Sequence, residues 1–283
     1  MIQNYYFFGT SYSSGGGLGF DWNNSEYIEL KNKAYPTKPK LNNYKYSLSG
    51  RLEELFDENK IQYNSIKNFS KPGYGTELTL REINKLIFSS DFDSDNSLLL
   101  IELTDNLFRR DMYYNPISDF IVGNHHDIKI DDTFACVSNW WKDSKNVTQK
   151  IKDNFSVIKK YYELTHDFET ELNKNINQVL SLVCMLDKLK INYLFTSGPY
   201  FIPKHKLDKI NFDSNKVIIN DIKKFISDNK MSIKDESNGI VYDNHHAGYK
   251  GTDYITKIIF NKLIYLNIIN NQPLDVKKSL RFI

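Results

Sequence analysis

The chain has 283 residues, and with 40% of them hydrophobic it is long enough to bury a sizeable core. Its formal net charge is only +2 and its basic residues form no recurring stripe, which argues against nucleic acid as a main partner. The N-terminus lacks the pattern of a secretory signal, and no apolar run is as long as a membrane span. We therefore expect a soluble, cytoplasmic protein without a membrane span.

A short apolar run near the N-terminus, Tyr5 to Phe8, is followed by Gly9, by Thr and Ser residues, and by three glycines. The run is typical of a buried strand of a parallel sheet, since strands covered on both faces lack polar alternation. Gly9 lets the chain turn at the carboxyl end of this strand, where open α/β sheets place their ligands. Ser11 in that turn is the candidate nucleophile. The alternative is a Ser- and Gly-rich loop after an edge strand.

Three other glycine motifs do not fit this loop. A phosphate loop of the Walker type requires a Lys-Ser or Lys-Thr pair after its last glycine, and the loop has none. A dinucleotide fingerprint beginning at Gly15 would need glycine or alanine at position 20, which is Phe20. The serine elbow of the α/β-hydrolases would need glycine two residues after Ser11, where the chain has Ser13.

The sequence that follows predicts alternating helices and strands. Residues 20–50 show no sustained period and are interpreted as an irregular connection. The next predicted elements are a helix over 52–58, a strand over 61–69, a helix over 78–88 with Thr76 as its N-cap, and a strand over 98–103. Small or polar residues follow all three predicted strands, so we expect them to form one site at the carboxyl edge of the sheet.

The second half of the chain continues this alternation. Residues 112–148 show no clean period and are predicted to be an insertion over the carboxyl edge. The remaining predicted elements are two helices within 150–189, a strand over 191–196, and helices over 218–227 and 252–269. This order predicts an α/β fold with helices on both faces of a parallel sheet. We find no internal repeat and expect a single domain over residues 1–283.

Residues suited to metal or redox chemistry are sparse. His125 and His126 are adjacent within the predicted insertion, but their spacing matches no metal site, and a surface loop is the preferred interpretation. Cys136 and Cys184 lie far apart and form no recognised motif, so we expect both to be reduced residues of the core. The sequence therefore predicts neither a metal nor an organic cofactor.

Asp243 and His246 lie three residues apart, just before the last predicted helix. This spacing can bring the carboxylate to one ring nitrogen and leave the other nitrogen free to face a substrate. Acyl transfer from a serine requires that arrangement, because the imidazole accepts the hydroxyl proton while the carboxylate fixes its tautomer. The alternative is that His245 and His246 only cap the helix or contact solvent.

Four short blocks together resemble the SGNH (GDSL-type) hydrolase family. They are Gly9-Thr10-Ser11-Tyr12, Gly73 after the second strand, a polar turn with Asn after the third, and Asp243-x-x-His246 near the C-terminus. The resemblance covers most of the chain in order and spacing, and the last block is its most specific part. It implies a three-layer α/β/α fold of flavodoxin-like order with a five-stranded parallel sheet.

The resemblance also implies catalytic roles. Ser11 would attack an ester carbonyl, His246 would act as general base and then as acid, and Asp243 would orient the imidazole. The oxyanion would be held by the backbone N–H groups of Ser11 and Gly73 and by the side chain of Asn106.

Two blocks depart from the family pattern. Thr10 stands where the family usually has Asp, although that position is not part of the triad. The third block is usually Gly-x-Asn-Asp, whereas this chain has Leu103-Thr104-Asp105-Asn106, so Asp105 occupies the slot of the oxyanion Asn. Arg109 could compensate the carboxylate electrostatically, and Gly75 is the alternative to Gly73.

The expected activity is hydrolysis of short acyl esters, with O-acetyl groups on carbohydrate as the favoured substrate, through an acyl-enzyme. An acyltransferase on the same scaffold is one alternative, because transfer differs from hydrolysis only in which hydroxyl reaches the acyl-enzyme. A non-catalytic carbohydrate-binding protein of the same fold is the other.

Overall fold

A computed structural model describes most of the predicted elements of this chain. The described residues are 2–10, 12–15, 43–70, 75–103, 110–113, 134–137, 168–238 and 246–275. The strands are β1 (Asn4–Phe8), β2 (Ser65–Asn68), β3 (Ser97–Glu102), β4 (Arg110–Tyr113), β5 (Phe134–Val137) and β6 (Asn192–Ser197). The α-helices are α1 (Leu48–Glu58), α2 (Thr76–Ile87), α3 (Phe168–Lys188), α4 (Lys204–Lys209), α5 (Ile222–Asp228), α6 (Ile233–Glu236) and α7 (Tyr249–Tyr265).

The central feature of the fold is a parallel sheet with strand order β2-β1-β3-β6. The α/β class is thus confirmed. β1 and β3 are the inner strands, and all six residues of β3 are buried, as are Tyr5 to Phe8 of β1. The prediction of buried strands from these apolar runs is confirmed.

The expectation of five strands is wrong for the described part of the chain, which has four in this sheet. The position beside β6 is held by a single parallel bridge between Phe195 and Val217, in which Ile218 N–H donates to the Phe195 carbonyl at 2.8 Å. The apolar run there is only Val217 to Ile219, and Asp221 caps the helix α5 directly after it. Because the chain turns away so soon, no ladder can form.

Helices cover both faces of the sheet, and each face has its own apolar cluster. Along β1 the side chains alternate, with Tyr5 and Phe7 on one face and Tyr6 and Phe8 on the other. The first cluster includes residues of α1, α5 and α7, and the second includes residues of α2 and α3. Burial of these large side chains is the main stabilising contribution, at about 1.5–3 kcal/mol for each one.

The boundaries of several helices differ from their predictions. α1 begins at Leu48, within the stretch predicted to be irregular, because the Ser47 side chain caps it by accepting from Gly50 N–H at 3.1 Å. Thr76 is the first residue of α2, and Gly75 is its N-cap. The helix predicted over 218–227 begins only at Ile222, where the Asp221 side chain accepts from the backbone of α5.

Two further comparisons concern the middle of the chain. Strands β4 and β5 pair antiparallel as a separate two-stranded sheet, and both overlap the predicted insertion, which itself stays a prediction. Of the stretch predicted to hold two helices, α3 is described. Cys184 lies on an exposed face of α3 as a free thiol, so its prediction as a core residue is wrong. None of the described helices is long and apolar enough to cross a membrane.

Candidate active site

The candidate site lies at the carboxyl edge of the four-stranded sheet. Because the strands are parallel, their last residues share this edge: Phe8, Asn68, Glu102 and Ser197. The loop that follows β1 is joined there to the end of β2, since Asn68 Nδ2 donates to the Ser13 carbonyl at 3.3 Å. The sheet thus brings together chain segments that are far apart in sequence, as the sequence predicts.

Directly after β1, backbone hydrogen bonds close a turn across position 11. Ser14 N–H donates to the Thr10 carbonyl at 3.1 Å, and Leu48 N–H, at the start of α1, donates to the Ser13 carbonyl at 3.2 Å. Gly15 ends the turn with a φ of +75°, and a Cβ there would lie 2.9 Å from the Tyr46 carbonyl carbon. Glycine is required at this position by both its backbone conformation and the close approach.

The side chain of Glu102, the last residue of β3, is fully buried beneath this turn. One of its oxygens accepts a hydrogen bond from the Thr10 hydroxyl, and the other accepts from Ser13 N–H at 2.7 Å. Burial raises the pKa of Glu102, while the hydroxyl and backbone N–H groups of Ser13 and Thr10 act in the opposite direction. A single carboxyl group therefore binds the chain on both sides of position 11.

Gly9 gives Glu102 the space it occupies. A Cβ at position 9 would lie 2.5 Å from the Glu102 Cβ and 2.9 Å from its Oε2. The first of these atoms is fixed by the backbone of an inner strand, so it cannot move aside. Gly9 is thus required by the close packing of two strand ends, in addition to the turn that its sequence position predicts.

The C-terminal block containing His246 is held by the segment before α6. Ile233 N–H donates to the His246 carbonyl at 2.9 Å, and Gly248 N–H donates to the Met231 carbonyl at 2.9 Å. Gly248 is the N-cap of α7 but supplies no side-chain hydrogen bond, and the Glu236 carboxylate takes that role. It accepts from Gly251 N–H at 2.7 Å and from Lys250 N–H at 3.1 Å.

The pKa of the Glu236 carboxyl is also shifted from its ordinary value. Burial raises the pKa of this carboxyl, and the backbone N–H groups at the start of α7 together with the charge of Lys250 oppose that rise. The half-buried carboxyl thus stabilises the N-terminus of the helix that begins three residues after His246.

The turn after β1 and the C-terminal block meet through their aromatic side chains. The ring of Tyr12 contacts the ring of His246, with a centroid separation of 5.4 Å and an interplanar angle of 44°. Tyr46 and Tyr249 form a second, edge-on pair at 5.1 Å. All four rings are half-buried. Residues 12 and 246, which are more than two hundred positions apart, are therefore neighbours.

Of the residues predicted to form the site, the structure describes His246, which it places at the carboxyl edge. The other predicted site residues lie outside the described residues: Ser11, Gly73, Asp105, Asn106, Arg109 and Asp243. The alternative oxyanion donor, Gly75, is the buried N-cap of α2.

Two residues of this region were missed by sequence reasoning. Glu102 follows four apolar residues and precedes Leu103. A charged residue inside a predicted central strand is unusual, and this could have identified Glu102 as a buried polar residue with a specific role. Glu236 carries no comparable signal, because a glutamate on a short helix resembles any solvated side chain. Its capping role depends on contacts fourteen and fifteen residues away along the chain.

Comparison with known proteins gives no match, whether with protein-family models, curated proteins or solved structures. Among the residues that the structure describes, no three His, Cys, Asp or Glu side chains are grouped so that they could hold a metal ion.

Proposed function

We propose that this protein is a serine esterase of the SGNH type that hydrolyses short acyl esters through an acyl-enzyme. The observation that carries the proposal is the contact between the rings of Tyr12 and His246 at the carboxyl edge of the sheet. Ser11 precedes Tyr12 in the chain, and consecutive Cα atoms are about 3.8 Å apart. The proposed nucleophile is therefore tied to a residue that touches the proposed base.

The proposed acid that orients His246 is Asp243. Three residues of extended chain span at most about 11 Å, so Asp243 cannot be far from the imidazole. This arrangement fits the requirement that a catalytic base be oriented by a third group.

The reaction begins when Ser11 Oγ attacks the ester carbonyl carbon and its proton passes to the His246 imidazole. The resulting oxyanion is stabilised by the N–H groups of Ser11 and Gly73 and by Asn106. The carbon–oxygen bond of the ester then breaks, and the imidazolium returns the proton to the leaving alcohol. Water next attacks the acyl carbon and gives a proton to the imidazole. The bond between that carbon and Ser11 Oγ then breaks, the imidazolium returns its proton to Oγ, and the carboxylic acid is released.

The proposed fold is the SGNH type, with the parallel bridge at Val217 in the place of a fifth strand. We further propose that residues 1–283 form one domain with an insertion at about 112–148. In the third block Asn106 is the proposed oxyanion donor, and Arg109 offsets the charge of Asp105. The order of the blocks along the chain supports the fold type and the role of Asn106. The lack of an internal repeat supports the single domain, and the lack of a clean period over 112–148 supports the insertion.

We propose O-acetylated carbohydrate as the substrate because of the half-buried rings beside His246. Tyr12 contacts His246, and Tyr249, three residues after His246 in the chain, pairs with Tyr46. Aromatic faces of this kind suit the apolar faces of sugar rings, and their polar tips can accept or donate hydrogen bonds to hydroxyl groups. The same surface would serve a carbohydrate-binding protein, so catalysis has to be tested directly.

The test is hydrolysis of p-nitrophenyl esters from acetate to octanoate by the wild type, Ser11→Ala and Ser14→Ala. Ser14 lies in the same turn, so its variant is matched in position and in chemistry. The proposal expects acetate to be the best substrate, Ser11→Ala to fall to background and Ser14→Ala to remain active. Background rates in both the wild type and Ser11→Ala would contradict the esterase. Acyl transfer to sugars, and then binding without catalysis, would be measured next.

A further inference from the structure

The position of Glu102 is costly for an ionisable side chain. It ends an inner strand, it is fully buried, and apolar residues precede and follow it. Burying a carboxyl group without hydrogen-bond partners is strongly unfavourable, because the group loses its hydration and each buried donor or acceptor left unpaired adds to the cost. This cost is offset because both carboxyl oxygens accept hydrogen bonds. The donors belong to residues on the two sides of position 11.

The carboxyl group spans position 11 in the manner of a clamp. The Thr10 hydroxyl donates to Oε1 and the Ser13 N–H donates to Oε2, at 2.7 Å. Both bonds join a turn to a strand about ninety residues away in sequence. They fix Thr10 and Ser13, the residues just before Ser11 and just after Tyr12. The ring of Tyr12 contacts that of His246.

The base of this clamp is rigid. β3 pairs with β1 on one side and with β6 on the other, and Glu102 itself is in register with Ser197 after a bulge. Gly9 allows the side chain to pass close to the end of β1. Because the Glu102 backbone is fixed in the sheet, the hydrogen bonds of its side chain hold the turn after β1 in a fixed position relative to the sheet.

We propose that Glu102 is a positioning residue that holds Ser11 in its attacking geometry. The proposal rests on the proposed function, in which Ser11 is the nucleophile. Glu102 acts through Thr10 and Ser13 and does not itself touch the ester. Since a misplacement of about 1 Å can cost about a hundredfold in rate, loss of the clamp lowers kcat while substrate binding is preserved.

The experiment compares Glu102→Leu with Glu102→Gln and measures kcat and KM for p-nitrophenyl acetate. Leu removes both acceptors and leaves an apolar side chain that is one atom shorter than Glu. Gln keeps an oxygen for Ser13 N–H, and its amide N–H can donate to the Thr10 hydroxyl oxygen. We expect Glu102→Leu to lose tenfold or more in kcat with KM changed less than about twofold, and Glu102→Gln to stay within about threefold of the wild type.

A second matched pair, Thr10→Val and Thr10→Ser, tests the same clamp if Glu102→Leu fails to fold. Val removes the hydroxyl at constant shape, whereas Ser keeps it, so we expect kcat to fall only for Val. Val183→Ala, in the apolar cluster of α3, is the control for a general loss of stability.

The outcomes separate the two proposals. If the wild type is no more active than Ser11→Ala, the esterase itself is wrong, and the clamp has no nucleophile to position. If the wild type is active and depends on Ser11, but Glu102→Leu and Thr10→Val turn over at the wild-type rate, the positioning proposal alone is overturned. It is overturned as well if Val183→Ala loses the same fraction of kcat as these variants.

Discussion

The cap that Glu236 places on α7 gives a prediction about both stability and activity. Its carboxylate accepts from Gly251 N–H and Lys250 N–H, at 2.7 and 3.1 Å, while Gly248 at the N-cap position has no side chain to do so. Glu236→Ala leaves both N–H groups without this partner. Glu236→Gln keeps one acceptor oxygen and loses the charge that favours a helix N-terminus.

The magnitude follows from the two bonds. A hydrogen bond to a charged acceptor contributes about 1.5–3 kcal/mol, and loss of an N-cap costs about 0.5–2 kcal/mol. We therefore expect Glu236→Ala to lower the free energy of unfolding by about 2–3 kcal/mol and Glu236→Gln by about 1 kcal/mol. For a chain of this size about 2–3 kcal/mol corresponds to a fall in Tm of roughly 5–10 °C.

The assay is urea unfolding followed by circular dichroism, with Glu58→Ala as the matched control. Glu58 is exposed at the end of α1, so its removal should change stability by less than about 0.5 kcal/mol. Because α7 begins three residues after His246, Glu236→Ala should also lower kcat. The reasoning is refuted if Glu236→Ala and Glu58→Ala unfold at the same urea concentration.

Four further predictions concern the carboxyl edge and α3. Gly9→Ala should destabilise the fold by about 3 kcal/mol or more in urea unfolding, because the new Cβ would lie 2.5 Å from the Glu102 Cβ; wild-type stability would contradict this. The raised pKa of Glu102 means that the folded state binds its proton more tightly, so stability falls as the pH rises from about 4.3 through the folded pKa. Glu102→Gln should therefore unfold at higher urea than the wild type at pH 7.5 but not at pH 4, and an equal difference at both pH values would refute this. Tyr12→Phe should keep esterase activity within about threefold, whereas Tyr12→Ala should lose tenfold or more since the ring contact with His246 is gone; equal rates for the two variants would show that the contact does not matter. Cys184 should react with a thiol reagent in the folded protein, and protection until unfolding would contradict its exposure.

The parts of the fold that were predictable from sequence are those in which local pattern and burial agree. Tyr5 to Phe8 and Leu98 to Ile101 are continuous apolar runs, and both are inner strands buried on two faces. The helix before the C-terminus was predictable from its apolar stripe, although Tyr249 rather than Thr252 begins it. Its start depends on Glu236, a residue outside the helix, so no local signal marks it.

The errors have the same origin in non-local contacts. Residues 217–219 continue the apolar pattern of the next helix, so the predicted helix includes 218 and 219. In the structure this run instead joins β6, with which Val217 forms a parallel bridge. For the candidate site, the resemblance predicted that the turn after β1 and the block around His246 come together, but it did not predict a contact between the Tyr12 and His246 rings. The ring contact of Tyr12 and the buried clamp of Glu102 require the folded sheet, because each joins segments that are distant in sequence.

The most direct test of the proposed esterase is to locate the nucleophile chemically. The folded protein would be treated with a fluorophosphonate, which phosphonylates an activated serine and releases fluoride, and the adduct would be mapped by mass spectrometry of its peptides. We predict a single adduct on Ser11, absent from Ser11→Ala and strongly slowed in His246→Gln. An adduct on another residue, or an unmodified wild type that still hydrolyses p-nitrophenyl acetate, would contradict the account.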